Sequence, residues 1–132
     1  MRFIILCLSL FLMPAVVMAN EGGGEAKEAV GPQYLELTPK FTVNLTEPRK
    51  YLMVNVQLLI DGAATESVKK HMSAVRNDLI LLFSGRSIAT LQTSEQREAL
   101  RKETFETVKK TLDKYGTSKG FEDVFFTEFL LA

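Results

Sequence analysis

Few residues in this 132-residue chain combine the types and spacing that chemistry needs. His71 is its single histidine and Cys7, far away in sequence, its single cysteine, so the nitrogen and sulfur ligands of a tetrahedral zinc site are missing. His71 reads instead as a boundary or surface histidine. Glu95, Glu98, Glu103 and Glu106 recur within one stretch. They alternate with Arg and Lys, the pattern of a solvated helix face whose pairs three or four apart each contribute only ~0.2–0.5 kcal/mol. Neither a glycine-rich phosphate loop nor a Ser-His-Asp set nor a nucleophile elbow occurs. Asn44-Leu45-Thr46 has the form of a glycosylation sequon, a triplet that arises often by chance. No catalytic, cofactor-binding or metal-ligating residue is assigned, and the chain reads as a non-enzyme.

Composition narrows the partners. Sixteen Lys plus Arg balance sixteen Asp plus Glu, which removes the basic footprint that a nucleic-acid binder carries. With 46% hydrophobic residues, one domain with one core is expected. The first 19 residues begin with Arg2, run through an apolar stretch broken by Pro14, and end at Val17-Met18-Ala19. A basic start, an apolar run and a small residue are the ingredients of a signal peptide, with cleavage expected between Ala19 and Asn20. The same segment, if retained, would be a short signal anchor. Residues 20–33, rich in Gly and Glu, are expected to be a flexible linker, and 34–132 the folded domain.

Within that domain the hydrophobic period changes twice. Leu35 and Leu37, then Phe41, Val43 and Leu45, alternate with other residues on either side of Pro39, predicting a strand with an interruption. "YLMVNVQLLI" places Leu52, Val54, Val56, Leu58 and Ile60 on one face of a second strand. From Thr65 the period becomes helical: Val68, Met72, Val75, Leu79 and Leu82 form one stripe, widened by Phe83 and closed at Gly85. Thr93 and Gln96 have capping-box spacing at the start of a second helix, whose inward stripe is expected to be Leu100, Thr104, Val108, Leu112 and Tyr115. The chain then closes on "VFFTEFLL", too apolar for a frayed tail and so expected to pair into the sheet. Plain alternation would point Val124 and Phe126 one way and Phe125, Phe129 and Leu131 the other. The far face would then be covered by the linker or by a neighbouring subunit. The predicted class is α+β: an antiparallel sheet of about three main strands packed against two helices, in the order β-β-α-α-β.

The series "LTPKFTVNL", "YLMVNVQLLI", "VRNDLILLFSGRS", "LQTSEQREALRKE" and "DVFFTEFLL" resembles, in order and spacing, the periplasmic domain of the FliL family of flagellar basal-body-associated proteins. The resemblance covers nearly all of residues 34–131. It implies a stomatin- and prohibitin-like domain that assembles into homo-oligomeric rings around or beside the stator units. It further implies a role without catalysis or cofactor in motility, swarming and chemotactic rotation, and stator and basal-body proteins as partners. Pro39, Phe41, Asn44, Arg76, Asn77, Thr127 and Phe129 match the family pattern and are expected to be structural or interface residues. Asn44 and Asn77 would bond to backbone at strand and helix ends, and Arg76 would pair across an edge or interface. Two departures stand out: the short, proline-broken N-terminal segment in place of a full membrane span, and Gln96 where a small residue is expected. If residues 1–19 are removed, the resemblance implies a free periplasmic protein that docks onto anchored partners, an anchored FliL paralogue among them. If they stay, it implies a minimal inner-membrane anchor. A stomatin-like binding module for another envelope complex is the alternative, and a small-molecule-binding or hydrolytic domain a third.

Overall fold

A computed structural model of the chain describes residues 31–132. The expectations for residues 1–30, the signal segment and most of the linker, lie outside the described residues. Among those described, no helix is long and apolar enough to cross a membrane.

The strict alternation of "YLMVNVQLLID" makes β3 (Tyr51–Asp61) the spine of an antiparallel sheet. Leu52, Val54, Val56, Leu58 and Ile60 are fully buried on its inner face. β4 (Phe121–Leu131) pairs along nearly the whole of one edge of β3. β1 (Pro32–Glu36) and β2 (Phe41–Asn44) pair with separate ends of β3, at residues 57–61 and 51–54, and so share its other edge. They are the two halves of the interrupted strand. Between Glu36, opposite Gln57, and Phe41, opposite Val54, two more residues are spent on the outer strand than on β3. An even excess preserves face parity, and Leu35 and Phe41 both turn inward. β1 begins at Pro32, two residues before the expected start of the domain.

Among the described residues, helices cover only the inner face. The first predicted helix is divided into α1 (Thr65–Lys69) and α2 (Met72–Phe83). The amide of His71 bonds to Val68 O at 3.1 Å, a tightened turn that leaves the stripe continuous: Val68, Val75, Leu79 and Phe83 are all fully buried. No glycine or proline marks this break, so the sequence pattern did not disclose it. α3 (Ser94–Lys114) starts at the predicted capping box. The Gln96 amide donates to Thr93 Oγ1 at 3.1 Å, while Gln96 Oε1 accepts from the amides of Thr93 and Gln92. The Gln96 side-chain amide also donates to Ala89 O at 2.9 Å, contacts that a small residue at 96 could not make. Thr93→Ala is expected to cost about 1 kcal/mol. Differential scanning calorimetry should read this as a fall in midpoint of about 4–8 °C.

The inward stripe of α3 is Leu100, Thr104, Val108 and Leu112, joined by the buried Thr111, whose hydroxyl donates to Asp78 Oδ2 on α2 at 2.6 Å. Tyr115 corrects the expectation: it is 43% exposed and stacks on His71 at 4.5 Å. It follows the last helical residue, where the chain turns away from the core through Gly116. Gly120, at φ +91°, then admits β4 beside the 3-10 turn at Gly62–Ala64; a Cβ there would sit 2.7 Å from that of Ala64.

The facing of β4 is the second correction. Val56 lies opposite Phe126 but Asn55 opposite Glu128, so Thr127 is an extra residue in a β-bulge. One extra residue reverses the alternation beyond it. Phe129 and Leu131 therefore lie opposite Val54 and Leu52 on the inner face, together with Val124 and Phe126. The outer face of β4 carries Phe125, Glu128 and Leu130, opposite Gln57, Asn55 and Met53.

Candidate functional site

The polar side chains that could have formed a reaction centre are engaged with one another. Glu98 grips Arg101 through two bonds, at 2.6 and 2.9 Å, and the same guanidinium reaches Asp123 Oδ1 at 2.8 Å and Val124 O at 3.0 Å. Bonding to Arg101 holds the Glu98 carboxyl below its ordinary value, and bonding to Glu98 strengthens the Arg101 guanidinium as an always-charged group. Glu103 pairs with Arg86, and Lys109 with Asp113 one helical turn on. Exposed pairs of this kind contribute little to stability. His71 has Tyr115 for company, and among the described residues no three metal-ligating side chains gather.

The seven residues singled out from the sequence fall into three places. At the break between β1 and β2, Arg76 of α2 donates to Pro39 O at 2.8 Å and lies over the Phe41 ring at 4.3 Å. Phe41 is buried edge-on to Phe83 at 5.5 Å, so this cluster fastens the two-residue excursion of the edge strand to α2. Asn77, its neighbour, points outward and reaches only Asp78 Oδ1, at 3.5 Å, rather than backbone.

At the far end of β2, the contact is made by the Asn44 backbone: its carbonyl accepts from Gly85 N at 2.8 Å, and among the described residues its exposed side chain makes no hydrogen bond. Thr46 extends the junction, donating its amide to Arg86 O and its hydroxyl to Gly85 O. Glu47 completes it by accepting from Ser87 Oγ and Ile88 N. Its own amide and that of Ile88 stabilise the carboxylate and lower its pKa from the ordinary 4.5. A depressed pKa adds stability that is present above the unfolded value and lost as pH falls through the folded one. Glu98 and Asp113 carry the same sign. Thermal midpoints measured from pH 7 to 3 should therefore drop once pH passes below about 4.5, with a shallower drop in Glu47→Gln.

The third place is the β4 bulge. Asn55 donates to Thr127 Oγ1 at 2.9 Å and to Glu36 Oε1 at 2.7 Å, tying β1, β3 and β4 together across the outer face, while Lys40 pairs with Glu128 at 3.2 Å. Asn55 Oδ1 is buried without a partner among the described residues. Around this polar island the outer face is apolar: Tyr34 (66% exposed) and Leu130 (47%) stand beside the half-buried Met53, Leu59 and Phe125. No described element covers that face. On the inner side of the bulge, Phe129 lies under the Arg97 guanidinium at 4.7 Å and against Phe126 at 5.8 Å. A groove of about 540 Å³ runs between the first turns of α3 and β4, lined by Arg97, Arg101, Phe126 and Phe129 among others. Sequence reasoning missed Arg97, Arg101 and Asn55. Arg97 and Arg101 stand four apart on one helix, but only the packing of α3 against β4 turns that pair toward a groove.

Residues 34–131 match the family model described as flagellar basal body-associated protein FliL. The chain is similar to flagellar protein FliL of Aquifex aeolicus (strain VF5), at 28% identity over 109 residues, 80% of this chain and 65% of that protein. It is also similar to flagellar protein FliL of Escherichia coli (strain K12), at 33% identity over 92 residues, 69% of this chain and 60% of that protein. In both, the matched stretch spans less than two thirds of the relative's length.

Proposed function

The chain belongs to the family of flagellar basal body-associated protein FliL, and from that premise we propose that it is a non-enzymatic accessory of the bacterial flagellar basal body. It works by contact in the periplasm, as a ring of copies beside the stator units, and tunes motor output in swimming, swarming and directional switching. The observation that carries the binding part of this reading is the outer face of the sheet, which no described element covers. An apolar face of this kind on a domain with a complete core on its other side is a surface to be covered.

Placement in the periplasm follows the reading of residues 1–19. If they are removed after Ala19, the protein docks onto anchored components, including an anchored paralogue; if they are kept, they hold it at the inner membrane.

Deleting the gene should change swimming speed in viscous medium, swarming or motor torque; motility unaltered in all three would overturn the proposal. Co-purification separates it from the alternative of a scaffold for another envelope complex. Recovery of stator or basal-body proteins supports the flagellar reading, and recovery of unrelated envelope proteins in their place supports the alternative. Leu130→Glu, a change on the exposed outer face, should leave the thermal midpoint within a few degrees of the parent and abolish the ring assembly seen by light scattering. An unaltered assembly would move the ring contact off this face.

A further inference from the structure

A sheet whose two edges are unequally guarded has a preferred side for pairing. The β1/β2 edge is blunted. It is broken by the excursion at residues 37–40, Pro32 supplies no amide, and Asn44 O and Thr46 N are consumed by the loop at Gly85 and Arg86, so the outward backbone groups left at Tyr34, Glu36 and Thr42 fall in two short, separated stretches. The β4 edge is guarded only at its start. There Val124 O accepts from Arg101 and Val124 N donates to Asp123 Oδ1, so both outward groups of that residue are satisfied by side chains. Beyond the bulge the protection stops. Tyr51 and Ala132 exchange both of their backbone bonds, so the ladder alternation turns the amide and carbonyl of Phe129 and Leu131 away from β3, as it does those of Phe126 before the bulge. No second strand pairs there among the described residues.

We propose that residues 126–131 of β4 form a strand-capture site. An extended segment of a partner protein pairs with this edge and sets a carboxylate side chain against Arg97. Side chains of an added strand alternate between the two faces of the sheet. Those on the inner side enter the groove beside Phe126 and Phe129, and those on the outer side meet Leu130.

The charge requirement comes from a difference between the two arginines of the groove. Arg101 is neutralised by Glu98 and Asp123. Arg97 spends its Nε–H on Leu91 O at 3.2 Å and its flat face on the Phe129 ring, and has no carboxylate within ion-pair distance among the described residues. Its two terminal amino groups make no hydrogen bond among the described residues, and Arg97 lines the groove with Phe126 and Phe129, which leaves both groups to receive an incoming carboxylate.

The same features argue against a second copy as the occupant. Its β1/β2 edge offers only short, separated stretches to pair with, and β4 laid against β4 would bring the two Arg97 guanidiniums together with no carboxylate between them. The inference stands on edge geometry and the charge of the groove, and does not depend on the ring reading; motor phenotypes and strand capture can succeed or fail separately.

The test presents the full chain, solubilised in mild detergent, to a displayed library of random decapeptides. Selected peptides should alternate apolar residues with others and carry Asp or Glu at one fixed register. Amide hydrogen exchange with a selected peptide bound should slow at least tenfold at Phe126, Phe129 and Leu131. Arg97→Gln should weaken binding at least tenfold, Arg97→Lys less, and selection on Arg97→Glu should recover Lys or Arg at the same register. Thermal midpoints of all three variants verify folding. Enrichment without acidic residues, or peptides that leave those three amides unprotected, would overturn the proposal. Protection of the same amides by self-association alone, without peptide, would replace the proposed partner with a second copy and equally overturn it.

Discussion

Phe83→Ala is expected to destabilise the domain by about 3–5 kcal/mol, the range for truncating a fully buried phenylalanine to alanine. Phe83 is the last residue of α2, fully buried, and its ring meets Phe41 at 5.5 Å and Phe126 at 6.1 Å, both edge-on. It therefore joins the interrupted edge strand, the helix layer and the terminal strand at one point. Truncation leaves a cavity between three elements that cannot all close on it, because β2 is held by its ladder to β3 and by the Arg76 bond to Pro39. Urea unfolding followed by circular dichroism measures the loss. A change below about 1 kcal/mol would show that the aromatic cluster is not part of the cooperative core.

Phe126→Asp should cost about 3 kcal/mol, roughly what removal of a core aromatic ring costs. The ring it removes lies against Phe83 at 6.1 Å and Phe129 at 5.8 Å, and a carboxylate enters in its place. Phe126 is only half-buried, and Arg97 and Arg101 line the same groove. Arg97, which has no carboxylate partner among the described residues, offsets part of the cost of the new charge, so Phe126→Ala should be destabilised to within about 1 kcal/mol of Phe126→Asp at low salt. Added salt should widen the gap, since screening weakens the rescue. Both variants can be compared by chemical denaturation at two ionic strengths. Equal stability of Phe126→Asp and the parent would place this strand outside the packed core.

The sequence by itself determined the class and order of elements in this domain. Alternation over eleven residues can only bury one face of a strand, a stripe at spacings of three and four can only bury one side of a helix, and Thr93 with Gln96 marks a helix start through local bonding alone. These are short-range constraints, legible because each is satisfied within a few residues. The motif series likewise identified the family, which the match over residues 34–131 bears out.

What the tertiary structure decided was everything that depends on counting across a pair of strands or on which elements touch. Whether Phe129 faces the core hangs on the single extra residue at Thr127, and nothing in "VFFTEFLL" marks a bulge; the register of β4 on β3 sets it. The break between β1 and β2 spends two residues, which preserves parity, so there the simple alternation held. Tyr115 continues the α3 stripe in sequence but lies past the last helical residue, so it left the core for His71. In sequence Arg97 is one of several cations on α3, and it is a candidate binding residue only because α3 sets it over Phe129 beside a strand edge that no described strand pairs. Local sequence fixes which face of an element is apolar. Only the register and packing of the assembled sheet decide which of those faces and edges remain open to a partner.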